Sequence, residues 1–436
     1  MWDLRQERRA SIPYPAGDTS FSLRRTRDGI FNALPMLLDA YERYGPVFSL
    51  RMFHLNTVWA LGPEANREIL LRNPTNFLWR EGSFADLIPI LGDGMLTIDG
   101  PFHRASRMAL VPAFTKGRIQ ASRELIDTEI EKALENWKPG DRFDLMEWTR
   151  EFALGVAMKA LLGFDDRHTS RTSQAAHDFE TALSFFGQSL WGQIRRGPGS
   201  HYRAMTQASA RLDEVIYAEL ELRRRAAAGS DDGHGDDLLG LLLDLQAQGG
   251  VELTDKHLRD QVMTMMFAGH DTTTSTVTFL FYELSRNREL VDDPQFNLDH
   301  AIDETLRMYP PAWVGPRRTA EACEIAGVPV PERASVNYSS WASHHLPDVW
   351  DQPEEFRPER FAPGNVEQIP KGAYVPFGAG SRTCLGMRFG QAEITSIATH
   401  VLQRFRLEVD PGYQLRTWQS PTISPRDRMP VTVRAA

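Results

Sequence analysis

Near the end of the chain a cysteine sits in a glycine-rich run, Phe377-Gly378-Ala379-Gly380-Ser381-Arg382-Thr383-Cys384-Leu385-Gly386, with an arginine two residues before it. A thiolate is both a nucleophile and a metal ligand, so the surroundings that set its pKa decide its use. The apolar spacing of Met387, Ile394, Ile397, Ala398, Val401, Leu402 and Phe405 predicts a helix that begins just past the cysteine. Its free N–H groups would point at the sulfur and lower the thiol pKa. Glycines at 378, 380 and 386 would supply positive φ and let a flat ligand approach the backbone. The alternative is that Cys384 is a small buried apolar side chain in an ordinary loop.

Three other groups could do chemistry. Ala268-Gly269-His270-Asp271-Thr272-Thr273-Thr274-Ser275-Thr276 places a glycine, an acid and a run of hydroxyls where helix formers are expected. A carboxyl and a hydroxyl beside a helix irregularity can hold water and pass protons; alternatively, the threonines bond back to carbonyls of their own helix and the acid pairs with a neighbour. Gly100 and Pro101 mark a helix start, and on that helix His103 and Arg107 share one face, either to clamp an anion or as a solvated surface. Glu304 and Arg307 stand three apart in Ala301-Ile302-Asp303-Glu304-Thr305-Leu306-Arg307, a spacing common on surface helices.

The order of these groups carries more than any one of them. F-x-x-G-x-R-x-C-x-G resembles the haem-ligand loop of the cytochromes P450, whose cysteine thiolate ligates iron. A-G-x-D-T-T resembles that family's acid–alcohol motif. E-x-x-R, followed by Phe356-Arg357-Pro358-Glu359-Arg360-Phe361, resembles its buried Glu–Arg–Arg network. The resemblance runs from about Leu34 to the C-terminus. It implies a mainly α fold, a triangular prism with a small β-rich lobe, formed as one domain over residues 1–436 with an irregular segment at 1–33.

The resemblance also implies roles. Haem b would lie between the 255–286 helix and the cysteine loop, with Cys384 as metal ligand and Phe377 and Gly386 among the residues that bind the cofactor. His103, Arg107, Arg317 and Arg382 would bind the propionates, Arg318 being a one-residue-slip alternative to Arg317. Asp271 and Thr272 would be catalytic, the hydroxyl bonding dioxygen and the acid linking it to a proton path. Glu304, Arg307 and Arg360 would maintain the scaffold. His344 falls at a matching position without an assigned role. The reaction implied is R–H + O2 + two electrons + two protons giving R–OH + H2O, a hydroxylation or epoxidation. A peroxygenase, an isomerase or a non-catalytic haem ligand carrier are the other classes, and the acid–alcohol pair speaks against the first two.

The elements that must position these groups read as follows. Residues 11–30 are an irregular entry. Leu34 to Tyr44 is a short amphipathic helix, Val47 to Leu61 alternates like a strand pair with Asn56-Thr57 at the turn, and Gly62-Pro63 opens a helix through Arg72. Residues 74–100 read as a long loop with one short helix, a length usually tied to function. Residues 118–163 and 170–225 are mostly helical. Within them Phe179, Leu183, Phe185, Phe186, Leu190 and Trp191 form an aromatic group that, by the resemblance, roofs the substrate pocket. Residues 226–237 are a polar connection. Asp255 to Arg286 is one long helix, apolar nearly all round in its middle and therefore buried. Strand-like segments surround Ile325, Val328 and Val336-Tyr338.

Composition narrows the partners. Of the 436 residues 42% are apolar and 25% charged, and the net charge of −9 argues against nucleic acid. Cys323 and Cys384 are the only cysteines, so a reducing cytoplasm is the simpler compartment. No run approaches the roughly 18 apolar residues of a bilayer span, so no membrane anchor is expected. No flavin or iron–sulfur segment is read in the chain. Electrons would therefore come from a ferredoxin or flavodoxin and its NAD(P)H-dependent reductase, docked where Lys116, Arg118 and Arg388 lie. Leu87, Ile88, Ile90, Met265, Ala268, Trp313, Val314 and Ile423, with Thr422, are the candidate pocket lining. They suit a lipophilic small molecule: a terpenoid, steroid, fatty acyl or polyketide compound.

Overall fold

The computed structural model describes residues 7–163, 169–185, 195–228, 234–235, 237–249, 253–420 and 422–436. The longer helices are α1 (Leu23–Phe31), α2 (Ala33–Tyr44), α3 (Gly100–Leu110), α4 (Lys116–Leu134), α5 (Leu145–Leu162), α6 (Thr169–Ser184), α7 (His201–Ala227), α8 (Leu238–Gln248), α9 (Asp255–Arg286), α10 (Leu298–Met308) and α11 (Met387–Arg404). Helix α9 is the spine. A capping box between Thr254 and His257 starts it, and nearly every side chain from Leu258 to Leu284 is buried against α5, α10, α11 and their neighbours. The hydroxyl run in its middle does not break it. Thr272, Thr274, Thr276 and Thr278 each donate to the carbonyl four residues back, at 2.7–3.0 Å, so the back-bonded alternative holds and the helix continues unbroken.

The β-rich lobe is a six-stranded sheet in the order β1-β2-β3-β9-β6-β4. Its strands are β1 (Gly17–Asp18), β2 (Val47–Met52), β3 (Leu55–Ala60), β4 (Phe77–Leu78), β6 (Gly315–Thr319) and β9 (Ser335–Tyr338). The strand β5 (Arg142–Asp144) joins a second sheet, β10-β13-β5, with β10 (Phe405–Val409) and β13 (Pro430–Ala435). Two hairpins complete the set: β7 (Cys323–Ile325) with β8 (Val328–Val330), and β11 (Thr417–Trp418) with β12 (Ser424–Pro425). Trp59 on β3 stacks on Trp313, tying the lobe to the helical part. Among the described residues no helix is long and apolar enough to cross a membrane.

Several local expectations are corrected. Residues 11–30 are not wholly irregular: α1 forms because Ser22 caps it and Arg25 reaches the Ser20 and Arg51 carbonyls, while β1 pairs in parallel with β2. Both rest on tertiary contacts that a local pattern does not carry. The strand turn is at Phe53-His54, with Phe53 at φ 54°, and Asn56-Thr57 lies inside β3, where Asn56 bonds Glu7. The helix opened by Pro63 is α-helical only to Arg67 and then widens into a π turn over Glu68–Arg72.

The 74–100 segment is a chain of short turns and β4, pressed onto α9. Gly94 permits this approach, because a Cβ there would meet Thr264 Oγ1 at 1.8 Å. In the roof group, Phe179, Leu183 and Phe185 pack in the largest apolar cluster; Phe186, Leu190 and Trp191 lie outside the described residues. Of the polar connection at 226–237, α7 covers the start, and 229–233 and 236 lie outside the described residues.

Candidate active site

The Cys384 loop is folded back on itself before α11 begins. The Cys384 N–H donates to the Phe377 carbonyl at 2.9 Å, and Gly378 and Gly380 both take φ +66°. At Gly380 a Cβ would also strike the Leu70 carbonyl at 2.3 Å, so glycine is required there. Gly386 differs from expectation: its φ is −83° and the space beside it is open as far as Phe114, so its value lies in close approach and not in positive φ. The N–H groups of Gly386 and Met387 bond the sulfur, and Arg107 adds a positive charge nearby. Burial outweighs both and pushes the thiol pKa up, opposite to the sequence expectation. Cys384 as a residue nevertheless keeps accessible surface and is not part of the packed core. A thiol arranged this way becomes a stable anion when a cation binds it.

Four donors converge beside it. His103 and Arg107 on α3, Arg317 on β6 and Arg382 in the loop feel one another's charge, and Asp99 is the acid that faces them. Arg382 holds Asp99 at 2.6 Å and the Ile98 carbonyl at 2.8 Å. Asp99 also accepts from the Trp79 and Arg80 backbone N–H groups. Arg317 is almost wholly buried, lies 3.7 Å over the Trp79 ring, and donates from Nη1 to its own neighbour's carbonyl. Its Nη2 is buried with no hydrogen-bond partner. Burial lowers Arg317 and Arg382 to about 10, and burial together with the two arginines lowers His103 to about 4. His103 therefore offers a donor and no charge at neutral pH. Arg318, one residue along the strand, faces the other way and bonds the Glu81 and Arg333 carbonyls.

On α9 the Asp271 carboxyl is nearly buried and turned towards α5 and α6. Its Oδ1 lies 3.5 Å from Arg150 Nη2 and 3.4 Å from His270 Nδ1. His270 Nε2 is 2.9 Å from Glu180 Oε1 on α6. The Thr272 hydroxyl bonds Ala268, so among the described residues no hydrogen bond joins the acid to the alcohol. Thr273 donates at 3.1 Å to Glu393 on α11, a fully buried carboxyl whose pKa burial raises to about 8.

Comparison with known proteins decides what this arrangement is. The cytochrome P450 family model matches residues 26–295 and 296–428, nearly the whole chain. The chain belongs to the cytochrome P450 family. It is 29% identical over 400 residues to cyclooctat-9-en-7-ol 5-monooxygenase of Streptomyces melanosporofaciens, covering 87% of this chain and 86% of the relative. It is 28% identical over 408 residues to pentalenene oxygenase of Streptomyces avermitilis, covering 87% and 88%. Among solved structures, a cyanobacterial P450 with retinoic acid bound superposes with a TM-score of 0.83 at 25% identity, covering 98% of this chain and all of that one. The protein is thus a haem b monooxygenase of the P450 fold, working with dioxygen and an external source of electrons.

The residues present fit that P450 haem. A buried guanidinium nitrogen without a partner, beside three further donors and one shared acid, suits a pair of carboxylates, and the sulfur faces the same region. Beneath it, Glu304 and Arg307 are fully buried and doubly bonded at 2.8 Å, and Arg360 Nε reaches Glu304 at 3.2 Å. Arg307 also donates to the His344 and Pro353 carbonyls.

His344, left without a role by the sequence, bridges this network to the cysteine loop. Its Nδ1 is 3.0 Å from the Arg307 carbonyl and its Nε2 accepts from Val375 N–H at 3.0 Å. That fixes the neutral ring with its proton on Nδ1, in keeping with a pKa pushed well down by burial. Of the lining candidates, Ile90 and Ile423 are fully buried in packing clusters, and Trp313 is fixed by its indole bond to the Gln419 carbonyl. Leu87 and Met265 are nearly buried, and Ile88, Ala268 and Val314 are half-buried. Trp79, Asp99, Glu180 and Glu393 escaped the sequence reading, because their types are common and their segments are distant in the chain.

Proposed function

We propose that this P450 hydroxylates or epoxidises a terpenoid-like lipophile, with Cys384 as the metal ligand and His103, Arg107, Arg317 and Arg382 at the haem carboxylates. The observation that carries the site reading is the orphaned Nη2 of buried Arg317 among those donors. Bound haem supplies dioxygen binding and activation, aided by electron density from a thiolate ligand. The chain does the rest. Gly386 and Met387 N–H groups hold the sulfur, Asp271 and Thr272 handle protons on the other side, and Leu87, Ile88, Met265, Ala268 and Val314 exclude water around the substrate. Phe377 closes the loop, and Glu304, Arg307 and Arg360 keep it in place.

The substrate class is supported by relatives named for cyclooctat-9-en-7-ol and pentalenene and by a neighbour holding retinoic acid. We place the protein in the cytoplasm as one domain, reduced by a ferredoxin or flavodoxin at the face carrying Lys116 and Arg388, both exposed, with half-buried Arg118 beside them. The test supplies a ferredoxin, its reductase, NAD(P)H and isotope-labelled dioxygen with a panel of terpenoids that shift the haem spin state. One labelled oxygen atom in the product supports the reading. Product formed with peroxide alone, and never with reductant and dioxygen, overturns it.

A further inference from the structure

Three histidines outside the haem-facing donors are deeply buried, and they fall into two kinds. His344 and His345 are wholly enclosed and tied by their ring nitrogens to backbone groups, which makes them structural. His270 is equally enclosed, yet neither ring nitrogen has an aligned hydrogen bond. It stands instead between two carboxylates, 2.9 Å from Glu180 and 3.4 Å from Asp271, with the approach to Glu180 off the axis of the ring N–H. Arg150 on α5 touches both acids, at 3.8 Å and 3.5 Å, and the Phe179 ring of α6 meets the imidazole edge-on. His177, exposed on α6, also lies close enough to Glu180 to lower it when protonated. Two carboxylates thus face one guanidinium across an imidazole, a cluster short of one positive charge. Glu180 and Arg150 are about one-third exposed and Asp271 is nearly buried, so the cluster runs from solvent to the acid of the acid–alcohol pair.

We infer that Glu180 and His270 form the proton entry that recharges Asp271, resting on the assignment of Asp271 and Thr272 given above. A proton from solvent is taken up by the Glu180 carboxylate and passes to His270 Nε2. It leaves from Nδ1 to Asp271 Oδ1, one residue from Thr272. The ring is left as the opposite neutral tautomer and is reset by turning about its χ2 bond, which the lack of aligned bonds at either nitrogen permits. Because Glu180 rides on α6 and His270 on α9, the entry exists only while these two helices are packed together. Burial would raise Glu180, but the contact with His270 and the charge of Arg150 hold it below the usual carboxylate range, so it readily gives up any proton it takes from solvent.

The test compares the holoenzyme with Glu180→Gln, His270→Asn, the double variant and Asp271→Asn, using whichever terpenoid gives a spin shift. Expected for both single variants is a fall of roughly tenfold in product formed per NAD(P)H with a matching rise in peroxide release. The double variant should be no worse, and small buffer acids should restore coupling. The spin-shift Kd and the thiolate carbonyl band should stay unchanged. A proton resonance from the His270 ring in the carbonyl form, identified by its loss in His270→Asn, should exchange with solvent more slowly in Glu180→Gln than in the wild type. Normal coupling in both single variants, while Asp271→Asn uncouples, overturns the entry and leaves the acid–alcohol assignment standing. Normal coupling in Asp271→Asn overturns that assignment and the entry with it. Lower stability in the single variants without any change in coupling shows a tether between α6 and α9 and also overturns the proposal.

Discussion

The two faces of the site are built on opposite terms. On the thiolate side, Glu304, Arg307 and His344 are fully buried with Arg360 half-buried against them, and their polar atoms are matched by partners at 2.8–3.2 Å. Along the middle of α9 and its neighbours, buried polar atoms without an aligned partner gather: Gln261 Nε2, Thr264 Oγ1, both His270 nitrogens, Glu180 Oε1, Arg150 Nε and Glu393 Oε1. A satisfied buried network gives a rigid frame, whereas polar groups left unmatched are costly and persist where they have other work. On the function proposed above, the frame side fixes where Cys384 stands, and the α9 side keeps groups available for protons and substrate.

The sharpest way to break the contrast is to injure the frame. Glu304→Ala or Arg307→Ala leaves an unpaired buried charge and should cost about 3–5 kcal/mol. Either variant should yield little haem-loaded protein; normal yield with a full Soret band would show that the network does not hold the loop.

The next largest effect belongs to the α9 side. Glu393 has a folded pKa raised from 4.5 to about 8, so between those values the native protein holds a proton that the unfolded chain has lost. Its contribution to stability is full below pH 4.5 and falls as pH rises towards 8, by up to about 1.4 kcal/mol per pH unit. Denaturant titrations across this range should show that slope reduced in Glu393→Gln, and an unchanged slope would mean that the carboxyl is not held neutral.

Arg317 sharpens the contrast at the boundary between the faces. Arg317→Ala should weaken haem retention about 10- to 100-fold, the worth of one or two charge-assisted bonds, whereas Arg318→Ala should change it little. Equal losses, measured by haem transfer to an acceptor apoprotein, would remove the distinction that their opposite directions draw. The smallest effect should come from the outer surface. Arg388→Glu should slow reduction by a ferredoxin a few-fold, with the difference vanishing at high salt. A rate independent of both charge and salt would place the electron donor elsewhere.

How far the sequence could be read follows the same divide. The cysteine loop was legible because its backbone demands particular residues: Gly380 admits no side chain against Leu70, and Cys384 must be presented at a helix start. The Glu304 network was legible through the resemblance, which joins E-x-x-R to the later Phe356–Phe361 run, while the three-residue spacing alone is common on surface helices. The long buried helix was legible from its apolar middle, and of the two readings of the threonine run the back-bonding one holds, which lets the helix continue. The thiol pKa was misread in direction, because a sequence shows the helix N-terminus and not the burial that outweighs it. Trp79, which stacks on Arg317, and Glu180, which meets His270, come from segments whose residues have no distinctive spacing. Only the folded chain brings them in.

Everything above turns on Cys384 being the metal ligand, and the reduced carbonyl difference spectrum of the holoprotein reads that directly. The wild-type protein should give the red-shifted band of a thiolate ligand, and Cys384→Ser should bind haem without it. Haem-replete wild type lacking that band, or Cys384→Ser retaining it, would contradict the account.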